Sequence, residues 1–216
     1  MHVLDAFEDA HVVPVVTVSG ADEGDNLASA LKAGGLPIAE VTLRMPYALD
    51  ALRSVATKHP DVLVGCGTVI SVRQVDEAVD AGAQFIVSPG TWEPVVRRAQ
   101  QRGVEVIPGI ASASDIMRAR DLGISCVKVF PASSIGGPDA LRELMAPFPG
   151  LRFIPTGGIT EENLAEYLEL PPVLAAGISW NVDRGHIEAG HWDEITRQTQ
   201  EAVALAAMVT PAPDDF

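Results

Sequence analysis

The sequence predicts a (β/α)8 barrel, also called a TIM barrel, preceded by a short N-terminal helix. The main observation is a repeated alternation, in which short runs of branched apolar residues lead into polar or glycine-rich turns and then into amphipathic stretches. Eight such runs occur, at a spacing of roughly 20 to 25 residues. Strands that alternate with helices imply a parallel sheet, and eight units can close on themselves.

An open doubly wound sheet is the alternative architecture. Such a sheet normally has fewer strands and opens with the glycine fingerprint G-x-G-x-x-G after its first strand. No such fingerprint follows the first apolar run of this chain. The barrel is therefore the preferred prediction.

The alternation assigns each element in turn. A short helix is predicted over residues 2–10. Strands are predicted over residues 12–18, 38–43, 62–66, 85–88, 104–108, 126–130, 152–156 and 173–178, and helices near 22–33, 46–58, 71–81, 91–102, 112–122, 138–146, 161–169 and 191–208. Gly82, Gly103 and Gly123 each follow a predicted helix, where a left-handed C-cap favours glycine. Thr160 is predicted to be the N-cap of the helix at 161–169.

Length and composition indicate one domain that spans residues 1–216, with 209–216 as a frayed tail. No run approaches the length of a membrane span, and the N-terminus lacks the basic start of a signal peptide.

Cys66 and Cys126 fall on predicted strands and are interpreted as reduced core thiols, which points to the cytoplasm. The net charge of −14, without a lysine or arginine cluster, argues against nucleic acid or an anionic membrane as partner. The five histidines show no metal-ligand spacing, so no metal site is predicted.

A lysine lies in the middle of the sixth predicted strand, Ile124-Ser-Cys-Val-Lys128-Val-Phe130-Pro131. Strand alternation places Lys128 on the same face as Cys126 and Phe130. One interpretation is structural: the lysine snorkels out of the strand end or pairs with a carboxylate. The other is catalytic: a desolvated amine stays neutral and can attack a carbonyl to form a Schiff base.

Polar residues and glycines follow the other predicted strands, where the chemistry of such barrels gathers. At the ends of these strands are Glu40 and Arg44 for the second strand, Thr68 for the third, Pro89 for the fourth, Thr156, Gly157 and Gly158 for the seventh, and Gly177 and Ser179 for the eighth. Taken singly, threonines and serines here are more often turn formers, and Glu40 or Arg44 could be solvated charges. In a closed barrel, however, a carboxylate, a cation, an amine and several hydroxyls would converge on one mouth.

These motifs resemble the 2-keto-3-deoxy-6-phosphogluconate (KDPG) aldolases, many of which also cleave 4-hydroxy-2-oxoglutarate (KHG). The similar segments are Glu40-Val-Thr-Leu-Arg44, Gly65-Cys-Gly-Thr68, Ser88-Pro-Gly90, Pro108-Gly109-Ile110, Lys128-Val-Phe-Pro-Ala132, Pro155-Thr-Gly-Gly-Ile159 and Gly177-Ile-Ser-Trp180. They occur in the family's order from about residue 10 to about 205.

The resemblance implies a class I lyase that needs neither a metal nor an organic cofactor and is commonly a homotrimer. Lys128 would be the Schiff-base lysine and Glu40 the general acid and base. Arg44 and Thr68 would hold the carboxylate of the pyruvyl group, and Pro89 and Phe130 would shape the pocket around it. Gly157, Gly158, Gly177 and Ser179 would belong to the phosphate-binding region, next to Thr156. The substrate would be a keto acid, cleaved to pyruvate and either glyceraldehyde 3-phosphate or glyoxylate.

The chain departs from the family at one position. The family usually has Gly-Gly-Ser-Trp at the last strand, and here Ile178 replaces the second glycine. Isoleucine disfavours positive φ and adds a branched side chain where the backbone would approach an anion. A phosphorylated keto acid remains the expected substrate, but this substitution adds weight to a substrate without phosphate, such as KHG.

Two other functions remain open on the sequence. An isomerase or epimerase of the ribulose-phosphate-binding barrel type would share the fold and a late phosphate site, but would need bases or metal ligands at the strand ends. A non-catalytic barrel that binds sugar acids is also compatible with the fold, because fold alone does not imply function.

Overall fold

Strands and helices alternate along nearly the whole chain in the computed structural model, which describes residues 2–209. The strands are β1 Val12–Val16, β2 Ile38–Thr42, β3 Leu63–Gly67, β4 Phe85–Val87, β5 Glu105–Ile107, β6 Gly109–Ile110, β7 Cys126–Val129, β8 Arg152–Pro155 and β9 Ala176–Ile178. The helices are α1 Val3–Ala10, α2 Ala21–Ala33, α3 Ala48–Lys58, α4 Val72–Asp80, α5 Glu93–Gln101, α6 Ala113–Asp121, α7 Gly137–Met145, α8 Leu164–Leu168, α9 Arg184–Ala189 and α10 Trp192–Ala207, and a 3₁₀ turn covers Trp180–Val182.

The strands form a closed parallel barrel. One continuous ladder runs in the order β5-β4-β3-β2-β1-β9, and a second runs β6-β7-β8. The first junction between them is Pro108, whose missing N–H interrupts one strand into β5 and β6 while its carbonyl still accepts a hydrogen bond from the amide of Lys128 at 3.0 Å. The second junction consists of bridges between Phe153 and Val173 and between Thr156 and Gly177. With β5 and β6 counted as one strand, the predicted (β/α)8 barrel is confirmed.

Branched aliphatic side chains fill the barrel wall, and β1, β2 and β4 are buried along their whole length. The helix α1 packs near the N-terminal ends of β4 and β5, where the ring of Phe7 meets that of Phe85 edge-on at 5.1 Å between centroids. Burial of each such side chain contributes about 1.5–3 kcal/mol. With α1 at this end, the opposite end, where the strands terminate, carries the polar loops.

Most predicted boundaries agree with the structure to within two residues; the exceptions are the starts of β9 and α8, each three residues later than predicted. The helix predicted at 161–169 is shorter, because Asn163 accepts a hydrogen bond from the amide of Thr160 at 2.8 Å and the intervening residues form a turn. Thr160 is therefore not the N-cap of α8, which is Asn163. The short helix α9 was not predicted at all.

Of the tail predicted at 209–216, residues 210–216 lie outside the described part of the chain. Between residues 2 and 209, the structure contains no helix that is both long and apolar enough to cross a membrane.

Candidate active site

Lys128 and Glu40 form an ion pair inside the barrel. The Nζ of Lys128, on β7, donates to Oε1 of Glu40, on β2, at 2.9 Å and lies 3.3 Å from Oε2. Only 8% of the lysine side chain and 5% of the glutamate side chain are exposed. Snorkelling of Lys128 is thus wrong, whereas its pairing with a carboxylate, which the sequence left open, is correct.

The strand register determines where these two side chains lie. Glu40 is aligned with Val15 on β1 and with Gly65 on β3. Gly67, two residues further along β3, is the neighbour that gives the carboxylate room, because a Cβ at that position would overlap Oε1 of Glu40. The glycine is therefore required for the space it leaves.

Burial makes the pairing of these charges necessary. An isolated ammonium or carboxylate in an apolar interior would cost several kcal/mol, and each ion here offsets that cost for the other. The ring of Phe130 lies 5.6 Å from the Nζ of Lys128 and adds a cation–π contact. A proton can pass directly between the two groups, because they are within hydrogen-bond distance.

A pocket of about 270 Å³ opens near this pair, where the strands end. Its lining includes seven of the residues predicted from the sequence: Arg44, Phe130, Thr156, Gly157, Gly158, Gly177 and Ser179. Phe130 links the two regions, since it lines the pocket and contacts Lys128. Most of the predicted set therefore converges on one mouth.

Thr68 and Pro89, like Lys128 and Glu40 themselves, lie outside this lining. Thr68 follows β3 directly and has a left-handed φ of 61°, which is uncommon for a threonine. Pro89 is exposed after β4, and its backbone lies so close to Gly109 that a Cβ there would overlap the carbonyl of Pro89. Both residues are at the end of the barrel where their strands terminate, as predicted.

Two consecutive glycines form one wall of the pocket. Gly157 and Gly158 have φ values of 97° and 75°, which side chains rarely adopt. A Cβ at Gly158 would also overlap the side chain of Ser133. The neighbouring strand β9 contributes Ile178, which is buried and has no positive φ, so its branched side chain is compatible with the local backbone.

Several residues of the pocket were not predicted from the sequence. They are Val15, Thr17, Ile159, Val182, Asp183 and Arg184. The hydroxyls of Thr17 and Thr42 are 3.3 Å apart, and Thr42 donates to the carbonyl of Val16 at 2.8 Å. Asp183 turns back on α9 and accepts hydrogen bonds from the amides of Gly185 and His186.

The buried thiols belong to the barrel interior. Burial, with a further contribution from the charge of Glu40, raises the pKa of Cys66 to about 12. Burial also raises the pKa of Cys126. Both thiols are free and protonated at neutral pH, as expected for structural cysteines. Among residues 2–209, no group of three or more His, Cys, Asp or Glu side chains could hold a metal ion.

The protein is a parallel (β/α)8 barrel in which a buried lysine–carboxylate pair lies below a polar pocket. These features are typical of barrel enzymes whose lysine reacts with a carbonyl group to form a Schiff base. The family model for KDPG and KHG aldolase matches residues 3–198. This chain belongs to the KDPG and KHG aldolase family.

Individual relatives agree with this assignment. The chain is 43% identical to a 2-dehydro-3-deoxy-phosphogluconate aldolase of Pseudoalteromonas atlantica, over 94% of each chain. It is 44% identical to the KHG/KDPG aldolase of Escherichia coli, over 91% of this chain and 92% of the relative. The KDPG aldolase of Legionella pneumophila, whose crystal structure holds pyruvate as a covalent carbinolamine, superposes with a TM-score of 0.89 at 38% identity, covering 92% of this chain and 97% of the other.

Proposed function

We propose that this protein is a class I aldolase that cleaves KDPG to pyruvate and glyceraldehyde 3-phosphate, KHG to pyruvate and glyoxylate, or both. The observation that carries the proposal is the buried ion pair between Lys128 and Glu40, 2.9 Å apart, in a barrel of this family. A lysine that can give its proton to an adjacent carboxylate becomes the neutral nucleophile that Schiff-base chemistry needs.

The first half of the reaction forms the covalent intermediate. The ammonium of Lys128 transfers a proton to Glu40, and the resulting amine adds to the C2 ketone of the substrate. Glu40, now a carboxylic acid, returns a proton to the carbinolamine hydroxyl, which leaves as water. The product is an iminium ion between Lys128 and C2, and Glu40 is again a carboxylate.

The second half breaks the carbon–carbon bond. Glu40 removes the proton of the C4 hydroxyl, the C3–C4 bond breaks, and its electron pair moves into the iminium to give an enamine. The aldehyde product leaves. The enamine is then protonated at C3, and water hydrolyses the iminium to release pyruvate and free Lys128.

The residues around the pair take supporting roles in this proposal. Arg44, which lines the pocket, binds the C1 carboxylate together with Thr68. Pro89 and Phe130 shape the pocket around the pyruvyl group. Left-handed Gly157 and Gly158 leave backbone amides accessible to the far end of the substrate.

The far end of the substrate is bound by one group of residues. They are Thr156, Gly157, Gly158, Gly177 and Ser179, which line the pocket together. Ile178 replaces the family's glycine, but it lies in the extended strand β9, where isoleucine fits the backbone. The next residue, Ser179, is exposed and can therefore still bind an anionic group. A phosphorylated keto acid is accordingly included among the proposed substrates.

The proposed assembly is a homotrimer, as the family resemblance implies, and the proposed location is the cytoplasm. Two buried free cysteines are consistent with a reducing compartment. Sedimentation of the purified protein would test the trimer directly.

The decisive experiment is borohydride trapping with pyruvate, followed by peptide mass analysis. A reduced pyruvyl adduct on Lys128 is the expected result, and it would locate the reaction in one step. A folded protein that gives no adduct would contradict the proposal. Comparison of turnover on KDPG and KHG would then rank the two substrates.

A further inference from the structure

A second guanidinium lines the pocket besides that of Arg44. Arg184, at the start of α9, shares the lining with Gly157, Gly158 and Ser179. Its side chain is 27% exposed, so it is neither a fully solvated surface arginine nor a sealed core group. No motif in the sequence singled it out.

Neighbouring acceptors hold the guanidinium in one orientation. Its Nη1 donates to Oε2 of Glu23 at 2.5 Å, and its Nη2 donates to Oε1 of the same carboxylate at 3.2 Å. Its Nε donates to Glu188 at 2.9 Å, and Nη1 also reaches the carbonyl of Thr17 at 3.3 Å. Glu23 is itself fixed by the amide of Ser19 at 2.7 Å.

This arrangement leaves part of the guanidinium unused. A guanidinium has five N–H donors, and the contacts to Glu23, Glu188 and Thr17 engage four of them. The remaining donor is on Nη2. A pre-oriented arginine with a spare donor at the edge of a pocket is suited to an anionic oxygen, because little side-chain freedom is lost on binding.

The chemistry of the substrates supplies the reason for two cations. Both KDPG and KHG carry a carboxylate at C1 and a second anionic group at the opposite end. Arg44 follows β2, whereas Arg184 follows β9 beside the left-handed glycines. The acid that also lines this end, Asp183, directs its carboxylate to the amides of Gly185 and His186.

We propose that Arg184 binds the distal anionic group of the substrate, and that Glu23 is a positioning residue that orients the Arg184 guanidinium. The inference rests on the proposed function, and it adds a specificity-determining side chain to the pocket. Pyruvate has no distal group, so it should not depend on Arg184.

The test is the variant Arg184→Gln, assayed with KDPG, with KHG and with pyruvate. We expect kcat/KM to fall about 10- to 100-fold for the two substrates, mainly through KM, because a hydrogen bond to a charged group is lost. Inorganic phosphate, used as a competitive probe, should inhibit the variant about 10-fold more weakly than the parent. Borohydride trapping of pyruvate on Lys128 should stay within about 2-fold of the parent rate.

Arg197→Gln is the matched control. Arg197 also pairs with two carboxylates, those of Glu194 and Glu201, but lies on α10 outside the pocket lining. The variant Arg197→Gln should have a kcat/KM within about 2-fold of the parent value for both substrates, since exposed ion pairs contribute little. Equal losses in the two variants would overturn the proposal.

The double variant Glu23→Gln/Arg184→Gln distinguishes two effects of removing Arg184: loss of its hydrogen bond to the substrate, and exposure of the negative charge of Glu23. Loss of Arg184 alone leaves the Glu23 carboxylate without its cationic partner near the pocket, and this charge could repel an anion by itself. We expect the double variant to remain at least about 10-fold impaired on both substrates, because the donor is still missing. Recovery to within about 2-fold of the parent would overturn the role of Arg184.

The single variant Glu23→Gln tests the positioning role. It should raise KM by less than Arg184→Gln does and leave kcat unchanged, because the glutamine retains one acceptor for the guanidinium. If the double variant had a lower kcat/KM than Arg184→Gln alone, Glu23 would act other than by orienting Arg184, and its positioning role would be overturned. If the parent itself gave no pyruvate adduct, the proposed function would fail; an intact adduct with unaltered KM in Arg184→Gln would overturn only this inference.

Discussion

Nζ of Lys128 lies 2.9 Å from Oε1 of Glu40, although the two residues are 88 positions apart in the sequence. They belong to β7 and β2, which are not neighbours in either ladder, so the pair spans the barrel interior. This contact requires the barrel to be closed, and it brings the proposed nucleophile and the proposed proton carrier together in a site that excludes bulk water.

Substitution of the lysine should abolish catalysis. In Lys128→Arg the guanidinium stays protonated and cannot add to a ketone, so pyruvate should no longer be trapped and turnover should be lost. Circular dichroism would verify that the variant folds, and Lys32→Arg, at a surface lysine paired with Asp61, is the control. Retention of a tenth of the parent activity would refute the assignment of Lys128.

Substitution of the carboxylate should slow the reaction without removing the nucleophile. Glu40→Gln keeps an acceptor for Lys128 but cannot accept a proton, so kcat should fall by about 10² to 10⁴. Mass spectrometry should still detect a slowly formed pyruvate adduct on Lys128. An unchanged kcat would remove Glu40 from the mechanism.

Arg44 should matter for every substrate that has a C1 carboxylate, pyruvate included. Arg44→Gln should raise the pyruvate concentration that gives half-maximal trapping by about 10- to 100-fold, because a charge-assisted hydrogen bond is lost. The contrast with Arg184→Gln, in which pyruvate trapping is unaffected, would assign one cation to each end of the substrate. The same pyruvate dependence in both variants would contradict that division.

Two glycines of β3 should respond to alanine in different ways. The Cβ of Gly67→Ala would overlap the Glu40 carboxylate, so turnover should fall at least about 10-fold as the carboxylate moves away from Lys128. The Cβ of Gly65→Ala would instead overlap the ring of Phe85, so this variant should lose about 1–3 kcal/mol of stability. Thermal melts and steady-state kinetics of both variants would reveal whether the two effects separate.

The buried thiol of Cys66 should make the stability of the protein depend on pH in the alkaline range. Because burial raises the pKa of Cys66 to about 12, the folded state keeps this proton at pH values where the unfolded chain has lost it. The unfolded state then binds fewer protons, so the free energy of unfolding should fall as pH rises between about 9 and 12, by about 1.4 kcal/mol per pH unit for such a thiol.

Alkylation provides the direct measurement of this thiol. Iodoacetamide at pH 8.5 should leave Cys66 and Cys126 unmodified in the native protein and modify both in guanidinium chloride. The slope of stability against pH should become shallower in Cys66→Ala. Rapid labelling of native Cys66 would contradict the prediction.

The periodicity of apolar residues was sufficient to predict the barrel, because almost every strand and helix has a local sequence pattern of its own. Strand parity and position also identified Glu40 and Lys128, and the predicted residues make up half of the pocket lining, including the glycines after β8. Arg184 lacked any such signal, since its partner Glu23 is 161 residues away and only the closed barrel brings them together. The short helix α9 has six residues, too few for a detectable helical period.

Local side-chain hydrogen bonds account for the misplaced start of α8. Thr160 followed by two acidic residues is a typical capping pattern, but Asn163 takes the amide of Thr160 and starts the helix three residues later. The Asn163 side chain binds the amide of Thr160 and the carbonyl of Gly158, both before the helix, and such loop geometry is not contained in the sequence period.

The seam that closes the barrel shares residues with the pocket. Thr156 and Gly177 form one of the two bridges between the seventh and eighth strands, and both line the cavity. A ligand that contacts both sides of this seam adds its binding free energy to ring closure. Amide hydrogens along residues 173–177 would therefore exchange more slowly in the liganded protein, and occupancy of the pocket could be followed by the protection of a seam that carries no reacting atom.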